Sequence, residues 1–305
     1  MFRLDDLILL LVIFSSLIAG ILMPGPASIF QDCPVYLMMF LLFLSFLSIK
    51  IEAVWGTVRN NLKTVIWLSF LKLILLPLCV YFFFRLFFPS YAAAALLLTG
   101  ISTGVVAPFI STLVNANVNL VLVMVVISSP LVPFTLPALV KILLGHSIEI
   151  SLLSMMRILC MVVFVPIFAV EILRRVAPRM LDSIMKRRYP ISLVIFAVIN
   201  LGVFSKYSGF FYQNPLTILE ATFVAILLGG IYLVVGISAL WPGPIENQIS
   251  SAISLGNMNN VLVLVFASEF FTPLEPTVAA MYMIPFFGLI FPLRVYQRFR
   301  TKYSK

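Results

Sequence analysis

Long apolar segments alternate with short polar ones along almost the whole chain. A membrane-spanning helix needs about 20 consecutive apolar residues. The pattern predicts ten such helices, over 4–23, 34–49, 63–87, 91–115, 118–144, 150–172, 190–205, 216–240, 246–270 and 276–297. Numbered in chain order, these are helices 1 to 10. The connections are short and contain turn residues, as in Trp241-Pro242-Gly243-Pro244. The sequence therefore predicts a single all-α polytopic membrane unit over residues 1–305.

The composition supports a lipid environment. Of the 305 residues, 62% are hydrophobic and 10% are charged, and the mean hydropathy is +1.16. A water-soluble domain of this size does not carry such an apolar excess. The three cysteines form no CxxC pair, so the sequence predicts no disulfide framework.

The basic residues lie mostly on one side of the predicted topology. That side has fifteen of them, including Lys186-Arg187-Arg188 in a predicted 174–188 loop, whereas the other side has only Arg85, Lys141 and Lys206. Lysine and arginine are enriched in cytoplasmic loops, and an even number of helices puts both termini on one side. We expect a multi-pass protein of the cell inner (plasma) membrane with both termini cytoplasmic. The net charge of +9 then marks topology and predicts no nucleic-acid partner.

The two halves of the chain share an arrangement of interruptions. The fourth helix of each half is interrupted, at 100–108 and at 254–260. The next helix has two prolines at the same spacing, Pro130 and Pro137 in helix 5 and Pro285 and Pro292 in helix 10. Because five helices per half is an odd number, the halves have opposite orientations. The pattern predicts two inverted five-helix repeats, as in many secondary transporters.

The interruptions are the predicted substrate site. A broken helix frees backbone N–H and C=O groups at membrane depth, where only protein or a water-filled cavity satisfies them. Asn257, Asn259 and Asn260 are a dense amide cluster for a spanning segment, and Thr103 and Ser102 could face the same cavity from helix 4. The alternatives are a kink with interhelical hydrogen bonds, and hydroxyls that bond within their own helix.

Lys72 is the most distinctive single residue. It lies about 13 Å into helix 3, counted from Lys63 at about 1.5 Å per residue. A lysine at such depth costs about 2.5–3.5 kcal/mol on insertion scales, so a buried partner or a cavity is expected. No acidic residue lies at a similar depth in the predicted helices. Lys72 could bind an anionic substrate, replace a bound cation, or gain and lose a proton during transport. The alternative is a structural bond to backbone carbonyls.

Enzyme chemistry has little support. The sequence has no HExxH, GxSxG or Walker A motif, and we predict no catalytic residue, cofactor or metal. Arg157 near the end of a helix and His146 in a predicted loop rank well below Lys72. Nothing in the sequence indicates an oligomeric state.

The sequence resembles the bile acid:sodium symporter family along nearly its whole length. The resemblance lies in Leu44 through Lys50, Lys72 through Pro77, Gly100 through Pro137, and Ser254 through Asn260 with the proline-containing last helix. It implies that helices 4 and 9 cross at the centre of a core domain, about 63–144 and 216–297. A panel domain, about 4–49 and 150–205, would complete the substrate site in an alternating-access cycle.

The departures from the family concern its sodium sites. A glutamate of the family falls at Ser254, one glutamine at Met258 and another at Lys72, while Gly256, Asn259 and Asn117 are retained. Other polar positions fall at Val121 and Val125 in helix 5, and near Ala107, Pro108 or Phe109 in helix 4. A hard cation needs several oxygen ligands, and few are left.

We therefore expect a secondary transporter of a small or amphipathic organic anion, without sodium coupling and with possible proton coupling. Lys72 would replace the bound cation, in an ion or coupling site with Ser254, Gly256 and Met258. The first alternative is a sodium symporter whose ions use carbonyls and the three asparagine amides. The second is a membrane sensor or scaffold that transports nothing.

Overall fold

The computed structural model describes residues 4–47, 49, 51–145 and 151–303, and this part of the chain is helical with no β-strand. Helices 1 to 3 are Leu4–Leu22, Pro34–Phe46 and Leu62–Phe87. Helix 4 consists of 4a (Ala92–Gly100) and 4b (Ala107–Leu113), and helix 9 of 9a (Ile245–Gly256) and 9b (Asn260–Phe270). Helices 5 to 8 are Val118–Leu144, Leu152–Val176, Pro178–Lys206 and Thr217–Ala239. Helix 10 comprises Leu274–Met281, Met283–Gly288 and Ile290–Tyr303. Short helices at Pro24–Ala27, Ile51–Asn60 and Ser208–Gln213 and 3₁₀ turns at Ser28–Phe30 and Pro89–Tyr91 connect them.

Six helices in the described part of the chain are long and apolar enough to cross a membrane, and a bent pair at Leu11–Leu22 and Pro24–Phe30 makes a seventh. This confirms an all-helical, multi-pass membrane protein. The remaining predicted spans are short helices, because helix 2 has 13 residues and helices 4 and 9 are each divided. Ten spans in two inverted repeats therefore stay a prediction.

Two predicted segments differ from the structure at their ends. The basic 174–188 loop is mostly helical, because helix 6 continues to Val176 and helix 7 begins at Pro178. An apolar window marks only the part of a helix that lies in lipid, so it misses a polar extension. His146 lies outside the described residues.

The helices form two groups by their packing. Helix 1 packs against helix 7, and helix 2 against helices 6 and 7. In the other group, helix 3 packs against helix 4a, helix 8 against helices 9a and 10, and helix 5 against helices 4b and 9a. Helix 5 also packs against helix 6 and so joins the groups.

Helices 8 and 9a approach each other closely at Gly236. A Cβ atom at Gly236 would lie 2.3 Å from Cα of Ala252. Only a residue without a side chain fits there, so this pair of helices is held with its backbones in contact.

Candidate functional site

The two broken helices meet backbone to backbone in the centre of the second group. Thr103 and Met258 form an antiparallel β-bridge. On either side of it, the Gly104 N–H donates to the Asn257 carbonyl at 2.8 Å, and the Asn259 N–H donates to the Ser102 carbonyl at 3.0 Å. Each break therefore satisfies part of the backbone that the other exposes, as a buried chain interruption requires.

Gly104 allows this close approach. A Cβ atom at Gly104 would lie 2.7 Å from the Met258 carbonyl oxygen and 3.1 Å from that of Asn257. A side chain there would separate the two strands of the bridge, so the glycine in the first interruption is a packing requirement.

Each carbonyl at the end of helix 9a accepts a hydrogen bond. The last four carbonyls of an α-helix have no partner in the regular helical pattern. In helix 9a the Ile253 carbonyl accepts from the Asn257 N–H at 2.8 Å, and the Ser254 carbonyl accepts from Thr103 Oγ1 at 2.9 Å. The Leu255 carbonyl accepts from Lys72 Nζ at 3.2 Å, and the Gly256 carbonyl accepts from the Tyr282 hydroxyl at 2.8 Å. Three of the four donors come from outside helix 9, so the end of helix 9a is a junction of helices 3, 4, 9 and 10.

Lys72 is completely buried at this junction. It lies in a π-helical turn, Leu71–Leu75, inside helix 3, and such turns often occur at functional sites. Its ammonium donates to the Leu255 carbonyl at 3.2 Å. A cation at a helix C-terminus lies at the negative end of the helix dipole and is stabilised there. Lys72 thus places an ionisable amino group at the crossing.

The three asparagines have different local roles. Asn259 caps helix 9b, because its side-chain oxygen accepts from the Leu262 N–H at 3.3 Å. Asn257 donates to the Phe286 carbonyl at 2.7 Å, and Asn260 donates to Met283 Sδ at 3.2 Å. Both bonds connect the break to helix 10.

Three of the predicted polar atoms have no partner among the described residues. The side-chain oxygens of Asn257 and Asn260 and the hydroxyl of Ser102 are buried and have no hydrogen-bond partner within the described structure. A buried unpaired acceptor is costly, so these three atoms are the best candidates for contact with a bound molecule.

The remaining predicted residues mainly bond to protein. The Thr103 hydroxyl donates to the Ser254 carbonyl, and the Ser254 hydroxyl donates to the Ser250 carbonyl on its own helix at 2.8 Å. Met258 is buried and contributes its backbone to the bridge. At Gly256, a Cβ atom would lie 2.7 Å from Cδ1 of Leu289.

Sequence reasoning missed two residues of the junction. The Thr103 N–H donates to Ser128 Oγ at 3.0 Å, and Ser128 Oγ donates to the Met124 carbonyl at 2.6 Å. Tyr282 donates to the Gly256 carbonyl, and its signal is that a tyrosine in an apolar helix needs a partner for its hydroxyl. The paired serines at 128 and 129 inside apolar helix 5 were the available signal.

Residues 35–214 match the model of the Sodium Bile acid symporter family. The match covers more than half of the chain, and the protein belongs to this family. It is therefore a membrane transporter of the bile acid or organic anion type and not an enzyme. The match includes Lys72 and the break in helix 4, and ends before the break in helix 9. No curated protein matches the chain.

Proposed function

We propose that this protein carries a small or amphipathic organic anion by alternating access and without sodium. Helices 3, 4, 5, 8, 9 and 10 form the core domain, and helices 1, 2, 6 and 7 form the panel domain. The two packing groups described above support this division. The substrate binds between the domains, next to the crossing of helices 4 and 9, in the plasma membrane with both termini cytoplasmic.

One observation argues against a sodium-binding site at the crossing. Each of the last four carbonyls of helix 9a already accepts a hydrogen bond from the protein, and one of the donors is the Lys72 ammonium. A sodium ion needs several oxygen ligands, preferably with a negative charge. At about 4 Å from Lys72 and an effective dielectric of about 20, repulsion costs a cation about 4 kcal/mol, roughly a thousandfold in affinity.

Lys72 also accounts for the choice of an anion. A buried ammonium uses one donor on Leu255 and has two more, so a carboxylate near the crossing offsets its charge. The unpaired oxygens of Asn257, Asn260 and Ser102 accept hydrogen bonds from hydroxyl groups of the same substrate. Loss and gain of a proton by Lys72 would couple the cycle to protons.

The test is uptake of organic anions into liposomes with sodium, with potassium, and with an imposed proton gradient. We expect uptake by the natural protein to be the same in sodium and in potassium, and the Lys72→Gln variant to lose most of it. Strict sodium dependence of the natural protein would refute the proposal. Unchanged uptake by Lys72→Gln in every condition would reduce Lys72 to a structural residue.

A gain-of-function variant makes the test sharper. The substitutions Lys72→Gln, Ser254→Glu and Met258→Gln together remove the fixed cation and add a carboxylate and an amide oxygen at the end of helix 9a. Sodium should then stimulate uptake. The matched control is the pair Ser254→Glu and Met258→Gln with Lys72 retained, which should not respond to sodium.

The alternative function is a sodium symporter with a rearranged ion site. The unpaired oxygens of Asn257 and Asn260 favour it, because amide oxygens are sodium ligands. Thermal unfolding of detergent-purified protein in sodium and in potassium distinguishes the two. A sodium site raises the unfolding temperature only in sodium, and the loss of that rise in Asn257→Ala would assign the ion to these amides.

A further inference from the structure

The second halves of the two broken helices have different environments. In helix 9b residues 260–268 are all buried, and the helix packs against helices 2, 6 and 7 of the panel. Helix 4b packs against helices 5 and 9a, and it leaves Val106 45% and Phe109 38% exposed. The core and panel are therefore closed on one another at the helix 9b side, which the charge asymmetry predicts to be outer.

A pair of donors from the panel lies at the far end of helix 9b. Lys206 Nζ donates to the Ser268 carbonyl at 3.1 Å, and the Tyr207 hydroxyl donates to the same oxygen at 2.9 Å. This carbonyl is among the last four of helix 9b, where the regular pattern leaves acceptors free and the helix dipole favours a cation. The Ser268 carbonyl of the core thus accepts hydrogen bonds from two consecutive residues at the end of helix 7 in the panel.

Tyr207 remains a donor over the physiological pH range. Its partial burial, with the nearby charges of Glu269 and Glu275, raises the pKa of Tyr207 to about 12. The phenol therefore keeps its proton when the contact is formed, and the bond does not depend on pH near neutrality.

The end of helix 4b is held in another way. The Arg294 guanidinium donates through Nε and Nη2 to the Leu113 carbonyl, at 3.3 and 3.1 Å. Arg294 belongs to helix 10, so this bond stays inside the core. Both half-helices end on a basic side chain, but only the one at helix 9b ties the core to the panel.

We propose that Lys206, Tyr207 and the Ser268 carbonyl form an outer latch, which holds the substrate cavity closed on the outer side while helix 4b faces an open cytoplasmic side. The proposal rests on the alternating access proposed above. The latch must break for the cavity to open outward, so it sets the balance between the two states in the absence of substrate.

The experiment measures the distance across the latch and needs no substrate. Spin labels are placed at Gly209, where a Cβ atom meets nothing within 4 Å, and at exposed Ser90, in the outer turn between helices 3 and 4a of the core. The native cysteines Cys33, Cys79 and Cys160 are free and are replaced by serine. Double electron–electron resonance then gives the distance distribution for the labelled protein with and without the latch substitutions.

Lys206→Met with Tyr207→Phe should add a longer-distance population and raise its ratio to the short one roughly tenfold, the loss expected for two partly exposed hydrogen bonds. Lys206→Arg, which keeps the cation, should retain the original distribution and shows that the site tolerates substitution. The matched controls are Arg85→Met, an outer-side cation bonded to Tyr81 on its own helix, and Tyr212→Phe at an exposed tyrosine. Both should leave the distances unchanged.

An unchanged distribution in the double variant would overturn the latch. An equal shift of the distance distribution in Arg85→Met would also overturn the latch, because the shift would then be a general effect of removing a positive charge from the outer side. The distance does not depend on transport, so a shift in a protein that takes up no anion keeps the latch and rejects the proposed function. Anion uptake by a protein whose distances do not change in the double variant would reject the latch and keep the proposed function.

Discussion

The two broken helices meet at one point, yet the protein supports their breaks differently. In helix 9 the carbonyl end before the break is bonded to helices 3, 4 and 10, an asparagine caps the helix after it, and residues 245–270 are largely buried. In helix 4 the half-helix after the break begins at Ala107, the preceding Val106 provides no side-chain cap, and one face is exposed. Helix 9 is thus the more extensively bonded and buried partner of the crossing, and the second half of helix 4 is the more exposed one.

The difference in bonding and burial between the two breaks suggests which half-helices open more easily. Buried polar groups are stabilised by hydrogen-bond partners, and the carbonyls at the end of helix 9a accept from Lys72, Thr103 and Tyr282, which lie outside helix 9. Local opening occurs where buried contacts are few, which describes the exposed face of helix 4b. The following substitutions test this comparison, from the largest expected effect to the smallest.

Gly104→Ala should have the largest effect on stability. The added Cβ atom would lie 2.7 Å from the Met258 carbonyl oxygen, so the bridge between the breaks must open. We expect a loss of about 3 kcal/mol, at the upper end of typical overpacking costs, or a failure to fold. Thermal unfolding in detergent measures it. The control is Gly230→Ala in helix 8, where a Cβ atom meets nothing within 4 Å. Equal stability of the two variants would show that the crossing is not tightly packed.

Ser128→Ala should destabilise the crossing by about 1–3 kcal/mol, the cost of a buried donor left without a partner. The donor is the Thr103 N–H, which lies 3.0 Å from Ser128 Oγ. Ser129→Ala is the matched control, because the Ser129 hydroxyl donates to the Val125 carbonyl of its own helix at 2.8 Å. Unfolding temperatures of the two variants give the comparison, and a larger loss for Ser129→Ala would contradict the role assigned to Ser128.

Asn259→Ala should lower stability by about 1 kcal/mol, the usual cost of losing a helix cap. Asn259→Ser retains a capping oxygen and should recover most of it. If Asn259 also contacts the substrate, affinity should fall roughly tenfold in both variants, as measured by isothermal titration with a transported anion. If Asn259→Ser binds the anion with unchanged affinity, Asn259 acts as a helix cap and does not contact the substrate.

Thr112→Cys should have the smallest effect on stability, within about 0.5 kcal/mol, because the side chain is exposed on helix 4b. Its value lies in labelling. A water-soluble thiol reagent should modify Thr112→Cys from the cytoplasmic side, whereas Val263→Cys on helix 9b, 1% exposed in the natural protein, should stay unmodified. Modification of both at similar rates would remove the difference between the two half-helices.

Much of the architecture could be predicted from the sequence because hydropathy is a local property. Helix 5 was predicted over 118–144 and occupies Val118–Leu144, and helix 3 was predicted over 63–87 and occupies Leu62–Phe87. The breaks coincide with the glycine and asparagine interruptions, where the backbone cannot continue a regular helix. Lys72 stood out because a charge inside an apolar segment is costly at any fold.

The tertiary structure alone decided the partners. Lys72 donates to Leu255, which is 183 residues away in the chain. The sequence marks Ser128 and Tyr282 as polar groups in apolar helices, but it does not identify the atoms to which they bond. Helices 4b and 9b are both rich in apolar residues, so only packing made helix 9b buried against helices 2, 6 and 7 while helix 4b kept an exposed face. A sequence shows which groups must find a partner in the membrane, because burial is costly for every polar atom. Which partner each one finds depends on the chain crossing itself in three dimensions.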